Sequence, residues 1–113
     1  MANVIIKYQP IIGDWIQANL PLLIERLTSL SAELLGRKST DIILEFAPFG
    51  LTNSSTPDFL IRCETSPRYK DELERWTQSL VEAIQSLSPP SKDPPLRIAA
   101  KGFALESVWY EHN

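Results

Sequence analysis

The sequence predicts an α+β domain in which two β-α-β units share one four-stranded sheet and lay two helices on one face of it. Three observations carry this. Four short β-rich segments flank two longer stretches whose apolar residues recur every three or four positions, in the order β-α-β, β-α-β. Each helical stretch has a single apolar stripe, so each covers one surface only, and both suit the same face of a common sheet. The strand residues left for the other face mix charged and apolar types, with Tyr8 or Lys7, Glu45, Arg62 and Arg97 among them. In so small a domain that mixture marks a partner surface.

Composition narrows the function classes. With 113 residues and 43% apolar content, residues 1–113 make one domain with one core. The 11 basic and 14 acidic residues give a net charge of −3 and are spread along the chain. No more than two basic residues are adjacent (Arg37-Lys38), so no nucleic-acid partner is expected. Cys63 is the only cysteine and His112 the only histidine, which excludes an internal disulfide and the usual zinc sets. Cys63, on a strand, reads as packing, and His112, next to the last residue, as solvated. No metal and no cofactor is expected. Apolar runs fall far short of the roughly 20 residues of a membrane span. With the first strand starting at residue 2 and no charged-then-apolar leader, a cytoplasmic protein is expected.

The elements follow in order. Along 2–8, Val4, Ile6 and Tyr8 share one face while Ile5, Lys7 and Gln9 share the other. Pro10 and Gly13 end that strand. Asp14 caps a short turn over 15–18, and Asn19 caps the main helix, because Pro21 suits a first turn that needs no N–H. Leu20, Leu23, Leu27, Leu30 and Leu34 form its stripe, widened by Leu22 and Leu35. Gly36 is a left-handed terminator, and Arg37 and Lys38 lie beside the negative end of the dipole. Residues 41–46 read as a central strand covered on both faces, ended by Ala47-Pro48-Phe49-Gly50. A polar loop over 51–58 precedes a third strand, where Phe59, Ile61 and Cys63 alternate with Leu60, Arg62 and Glu64.

Ser66-Pro67 opens the second helix, whose stripe is Tyr69, Leu73, Trp76, Leu80, Ile84 and Leu87. The proline-rich segment 88–95 is a stiff connector. In the fourth strand Leu96, Ile98 and Ala100 alternate with Arg97, Ala99 and Lys101, and Gly102 breaks it. A short edge strand is expected over 107–110. This order fits either a ferredoxin-like sandwich or a tautomerase-type unit. The start of the sheet at residue 2, the long aromatic tail and a second strand running on towards Phe49 favour the latter.

Two segments carry a family resemblance. Leu35-Gly36-Arg37-Lys38-Ser39-Thr40-Asp41-Ile42-Ile43-Leu44 resembles the helix-end, glycine, basic residue, strand pattern of the trimeric tautomerases related to macrophage migration inhibitory factor. Val108-Trp109-Tyr110-Glu111-His112-Asn113 is similar to their tryptophan-containing tail. The region of the second and third strands and second helix also resembles a bacterial tautomerase-like branch. The resemblance implies a homotrimer with a small pocket between subunits, and keto–enol tautomerisation of a small, anionic, carboxylated substrate. In that family an N-terminal proline amine moves the proton. Here Ala2 holds that position, and Met1 must leave before its amine exists. The resemblance makes Arg37 a carboxylate grip, places Arg97 on strand four near a pocket position, and has Trp109 wall the pocket. Arg62 is a further candidate for the cationic cluster, and Lys38 reads as solvated. The other reading is a non-catalytic trimer of the same fold, used in ligand binding or protein interaction.

Overall fold

The computed structural model describes residues 2–87, 89 and 96–105. Its strands are β1 (Ala2–Tyr8), β2 (Ile42–Pro48), β3 (Phe59–Thr65) and β4 (Ile98–Ala104), and its α-helices are α1 (Gly13–Leu35) and α2 (Leu73–Ser86). Short 3₁₀ turns at Pro10–Ile12, Ser39–Asp41 and Pro67–Glu72 join them. The sheet order is β2-β1-β3-β4. β1 is parallel to β2, β3 is parallel to β4, and the two pairs meet antiparallel between β1 and β3. This order separates the two candidate folds. A ferredoxin-like sheet is built from split β-α-β units, whereas here each unit keeps its two strands side by side.

Alternation along the strands sets the two faces. Val4, Ile6, Phe59, Ile61 and Cys63 are fully buried beneath the helices. Their neighbours Ile5, Lys7, Leu60, Arg62 and Glu64 point to the other face. The parity expected for β3 is therefore the parity found, and in β1 it is Lys7 rather than Tyr8 that takes the open face.

Helix α1 starts earlier than the capping pattern predicts. It begins at Gly13 and runs through Pro21. A mid-helix proline costs about 3 kcal/mol. Fully burying an isoleucine returns roughly 1.5–3 kcal/mol, and the first turns bury both Ile12 and Ile16. Tertiary burial therefore outweighs the proline. Asn19 does not cap; its side-chain amide donates to the Trp15 carbonyl at 2.9 Å. The buried stripe runs Ile16, Leu23, Leu27, Ala32 and Leu35, which leaves Leu22 at 42% exposure rather than widening it.

Two other boundaries shift. Pro67–Glu72 winds as 3₁₀ before α2 begins at Leu73, with Tyr69 outside helical geometry at φ −109°, ψ 18°. Gly102 does not break β4; the strand passes through it to Ala104. A β-carbon on Gly102 would stand 3.0 Å from Leu73 Cδ2, 3.2 Å from Leu73 Cβ and 3.3 Å from Thr77 Cγ2. The glycine is where α2 presses closest on the sheet.

The helices share one buried polar contact. Ser31 Oγ donates to the Leu27 carbonyl at 2.7 Å and accepts the Trp76 indole N–H at 2.9 Å. Both residues are fully buried. Every polar atom in this link is satisfied, and it sets the indole against α1.

Two stability predictions follow from this packing. Ser31→Ala orphans the indole N–H and is expected to cost about 1–3 kcal/mol by urea unfolding; a loss near zero would mean that the indole finds another acceptor. Gly102→Ala is expected to cost about 1–3 kcal/mol through overpacking. Truncating Leu73 to Ala in the same chain should recover part of that loss, and independent effects would contradict the close-approach account.

Candidate functional site

The termination of α1 builds one end of the candidate site. Gly36 adopts φ 63°, ψ 37°, a left-handed conformation that glycine takes without a Cβ penalty. Its N–H bonds the Glu33 carbonyl at 3.3 Å, and the Arg37 N–H bonds the Ala32 carbonyl at 2.9 Å. This pair of bonds is a Schellman closure, and it aims Arg37 away from the helix axis towards the segment after β3. There Arg37 Nη1 donates to the Tyr69 hydroxyl at 3.0 Å, and its Nε donates to Asp41 Oδ2 at 3.4 Å. The Tyr69 hydrogen bond pushes the Arg37 pKa above its already high value; burial opposes this and the nearby Asp41 charge adds to it. The guanidinium is a fixed cation.

Ala2 lies at the same end of the sheet. It opposes Ile42, the first residue of β2 after the Asp41 turn, and it is 3% exposed within the apolar core. Its neighbour Asn3 is on the open face yet only 1% exposed. Asn3 Nδ2 donates to Glu64 Oε1 at 3.4 Å, while its Oδ1 has no hydrogen-bond partner among the described residues.

Arg97 is at the opposite end. It precedes Ile98, which opposes Phe59, whereas Ala2 and Asn3 lie by the far end of β3 at Glu64. A seven-residue strand spans ~20 Å. The Arg97 guanidinium donates through Nη2 to the carbonyls of Ser54 (3.0 Å) and Thr56 (2.6 Å). Its backbone N–H bonds the buried Asp58 carboxylate at 2.7 Å, and its carbonyl accepts from Asp58 N at 2.9 Å. Within one chain Arg97 thus fastens the loop before β3 and does not meet Ala2 or Arg37. Trp109, the tail strand over 107–110, His112 and Met1 lie outside the described residues.

The open sheet face carries the remaining charges. Cross-strand register lines up Glu45, Ile5, Arg62 and Lys101, with Lys7 and Leu60 in the next row. Arg62 bonds Glu64 through Nε and stacks on Phe103, its guanidinium carbon 4.3 Å from the ring centroid. Ile5, Lys7, Leu60 and Arg62 line a shallow depression of about 110 Å³. The sequence pattern places Glu45 and Arg62 here and leaves Tyr8 or Lys7 as alternatives, of which the structure has Lys7; it reads Tyr69 as core stripe and leaves Asp41 and Asp58 without partners. No group of three or more metal-ligating side chains gathers among the described residues, and no described helix is long and apolar enough to cross a membrane.

No protein-family model and no curated protein matches the sequence. Solved structures do match. A macrophage migration inhibitory factor-like protein from Entamoeba histolytica superposes with a TM-score of 0.68 at 9% identity, over 99% of this chain and 96% of that one. A native fused 4-OT gives 0.64 at 15% identity over 98% and 94%. Malonate semialdehyde decarboxylase gives 0.59 at 11% over 100% and 91%. The chain has the fold of the tautomerase superfamily.

Cys63 is the one thiol and lies under the helices, opposite Val4 on β1. Burial pushes it from 9.0 up to about 12, and the Glu64 charge adds to the shift. It is therefore a packing residue that stays protonated. The unfolded thiol ionises near 9 and the folded one near 12, so its contribution is intact below pH 9 and is lost as pH rises towards 12. In urea titrations from about pH 7 to about pH 11, wild-type stability should fall more steeply above pH 9 than that of Cys63→Ala. Parallel curves would mean that Cys63 ionises alike in both states.

Proposed function

We propose that the chain assembles as a cytoplasmic homotrimer and catalyses keto–enol tautomerisation of a small carboxylated substrate at the boundary between copies. The observation that carries this reading is the shared position of Ala2 and Arg37 at one end of the sheet. There Ala2 is buried in the apolar core and Arg37 is held by Tyr69 and Asp41. Removal of Met1 would turn the Ala2 nitrogen into a primary amine. Apolar surroundings disfavour its ammonium form and leave a neutral base. That base takes the proton from an enol hydroxyl and returns it to the carbon, while Arg37 holds the carboxylate and stabilises the enolate.

Arg97 enters only through a neighbouring copy, since its own chain keeps it a strand's length from Ala2. Trp109 is assigned to the pocket wall. The open face, with Lys7, Arg62 and Lys101 interleaved with Glu45 and Glu64, supplies both signs of charge for contact between copies. Membership of the tautomerase superfamily is part of this reading, and the shared fold supports it.

One observation favours a non-catalytic trimer that binds a ligand or a protein instead. Ala2 stands where the resemblance leads one to look for proline, and a primary amine lacks that ring's fixed geometry. The two readings part on one assay. With Met1 removal verified by intact mass, turnover of an aryl-pyruvate enol followed by ultraviolet absorbance should exceed buffer and disappear on N-terminal acetylation. No turnover from a Met1-free trimer would select the non-catalytic reading. A monomer or dimer at micromolar concentration would contradict the assembly.

A further inference from the structure

Tyr69 is a core aromatic with more polar chemistry around it than packing requires. It is 9% exposed. Two guanidinium carbons flank its ring, Arg37 at 5.7 Å and Arg68 at 5.4 Å from the centroid. Two like charges around one ring repel each other unless something anionic offsets them. Asp41 is the acidic partner of Arg37, and among the described residues no carboxylate lies within salt-bridge distance of Arg68. Arg68 therefore brings to this corner a positive charge that no described carboxylate pairs.

The Tyr69 hydroxyl accepts from Arg37 Nη1. A phenol oxygen that accepts one hydrogen bond still has its own O–H to donate. No described residue takes that proton, although the side chain is nine-tenths buried. The Arg37 contact is part-buried, so this O–H is open to an acceptor from outside the chain, such as an oxyanion. Because Arg37 fixes the phenol oxygen at 3.0 Å, the O–H and the remaining guanidinium N–H groups stand within reach of one small anion.

We propose that Tyr69 and Arg37 form a two-donor clamp for a carboxylate or phosphate oxyanion, with Arg68 supplying further positive charge. This rests on the reading of Arg37 as the carboxylate grip and adds the second donor. One oxygen of the ligand takes an Arg37 N–H and the other takes the Tyr69 O–H. Charge-assisted bonds of this kind are stronger than neutral ones. The clamp binds and orients; no bond is made or broken.

The test is titration calorimetry of the full chain with phenylpyruvate and, separately, inorganic phosphate. Wild type should bind at least one probe. Tyr69→Phe keeps the ring and removes only the O–H, and should weaken binding about tenfold, as Arg37→Ala should by at least as much. Loss in Arg37→Ala with unchanged affinity in Tyr69→Phe would leave Arg37 as the grip and overturn the clamp. Unchanged affinity in Arg37→Ala, or no binding of either probe by wild type, would overturn the grip and the clamp together. Should Tyr69→Phe fold poorly, NMR of wild type decides: the Tyr69 ring and Arg37 Nε–H signals should shift on saturation, and stationary signals would overturn the clamp.

Discussion

The handedness of the parallel crossover governs this structure. Each β-α-β unit joins adjacent parallel strands through one helix, and such crossovers are right-handed in about 98% of cases. Because β1 and β3 meet antiparallel, a half-turn normal to the sheet relates the two units. That rotation keeps both helices on one side. The Trp76–Ser31 hydrogen bond between α2 and α1 is the consequence, since helices on opposite faces could not touch. The other consequence is a sheet whose second face has no helix to cover it. Its five charged residues, Lys7, Glu45, Arg62, Glu64 and Lys101, occupy positions where buried apolar side chains would otherwise stand.

The same topology sorts the candidate residues by sheet end. The starts of β1 and β2 share an end of the sheet with the finish of β3 and β4, so Ala2, Arg37, Asp41 and Tyr69 gather there from three segments, β1, the α1–β2 connection and the turn after β3. The start of β4 falls at the other end, and Arg97 goes with it. Its guanidinium and backbone make four hydrogen bonds to residues 54–58 and one to the Phe59 N–H at the start of β3. That loop has no regular structure of its own, so these bonds, with Gln9 donating to the carbonyls of Thr56 and Pro57, define its path.

Much of this was legible in the sequence, and the misses share a cause. Period-two alternation put Val4 and Ile6 on one face and placed Phe59, Ile61 and Cys63 inside because a strand's faces are set by parity alone; which face of β1 is buried had to come from its neighbours. Gly36 was legible because a left-handed terminator has a local signature. Pro21, Leu22 and Gly102 were misread because their outcome depends on what packs against them. Ile12 and Ile16 carry α1 back past its proline, and Leu73 lies over Gly102 so closely that the strand needs a glycine there. The partnership of Arg37 with Tyr69 spans 32 positions, and no local pattern announces it. Tyr69 also fits the helical stripe, so its hydroxyl was hidden behind its ring.

Whether Arg37 can serve a ligand turns on how firmly its present partners hold it. The Asp41 contact is an i,i+4 pair at 3.4 Å with both side chains partly exposed. Pairs of that kind contribute about 0–1 kcal/mol. The bond to Tyr69 joins a charged donor to a part-buried oxygen, and bonds to charged groups are worth about 1.5–3 kcal/mol. On the proposed reading, a ligand carboxylate would displace Asp41 at little cost and leave the Tyr69 bond in place. Asp41 would then be a stand-in that keeps the guanidinium oriented between ligands, and Tyr69 the contact that persists throughout. The strength order of the two partners makes the arginine both fixed and available.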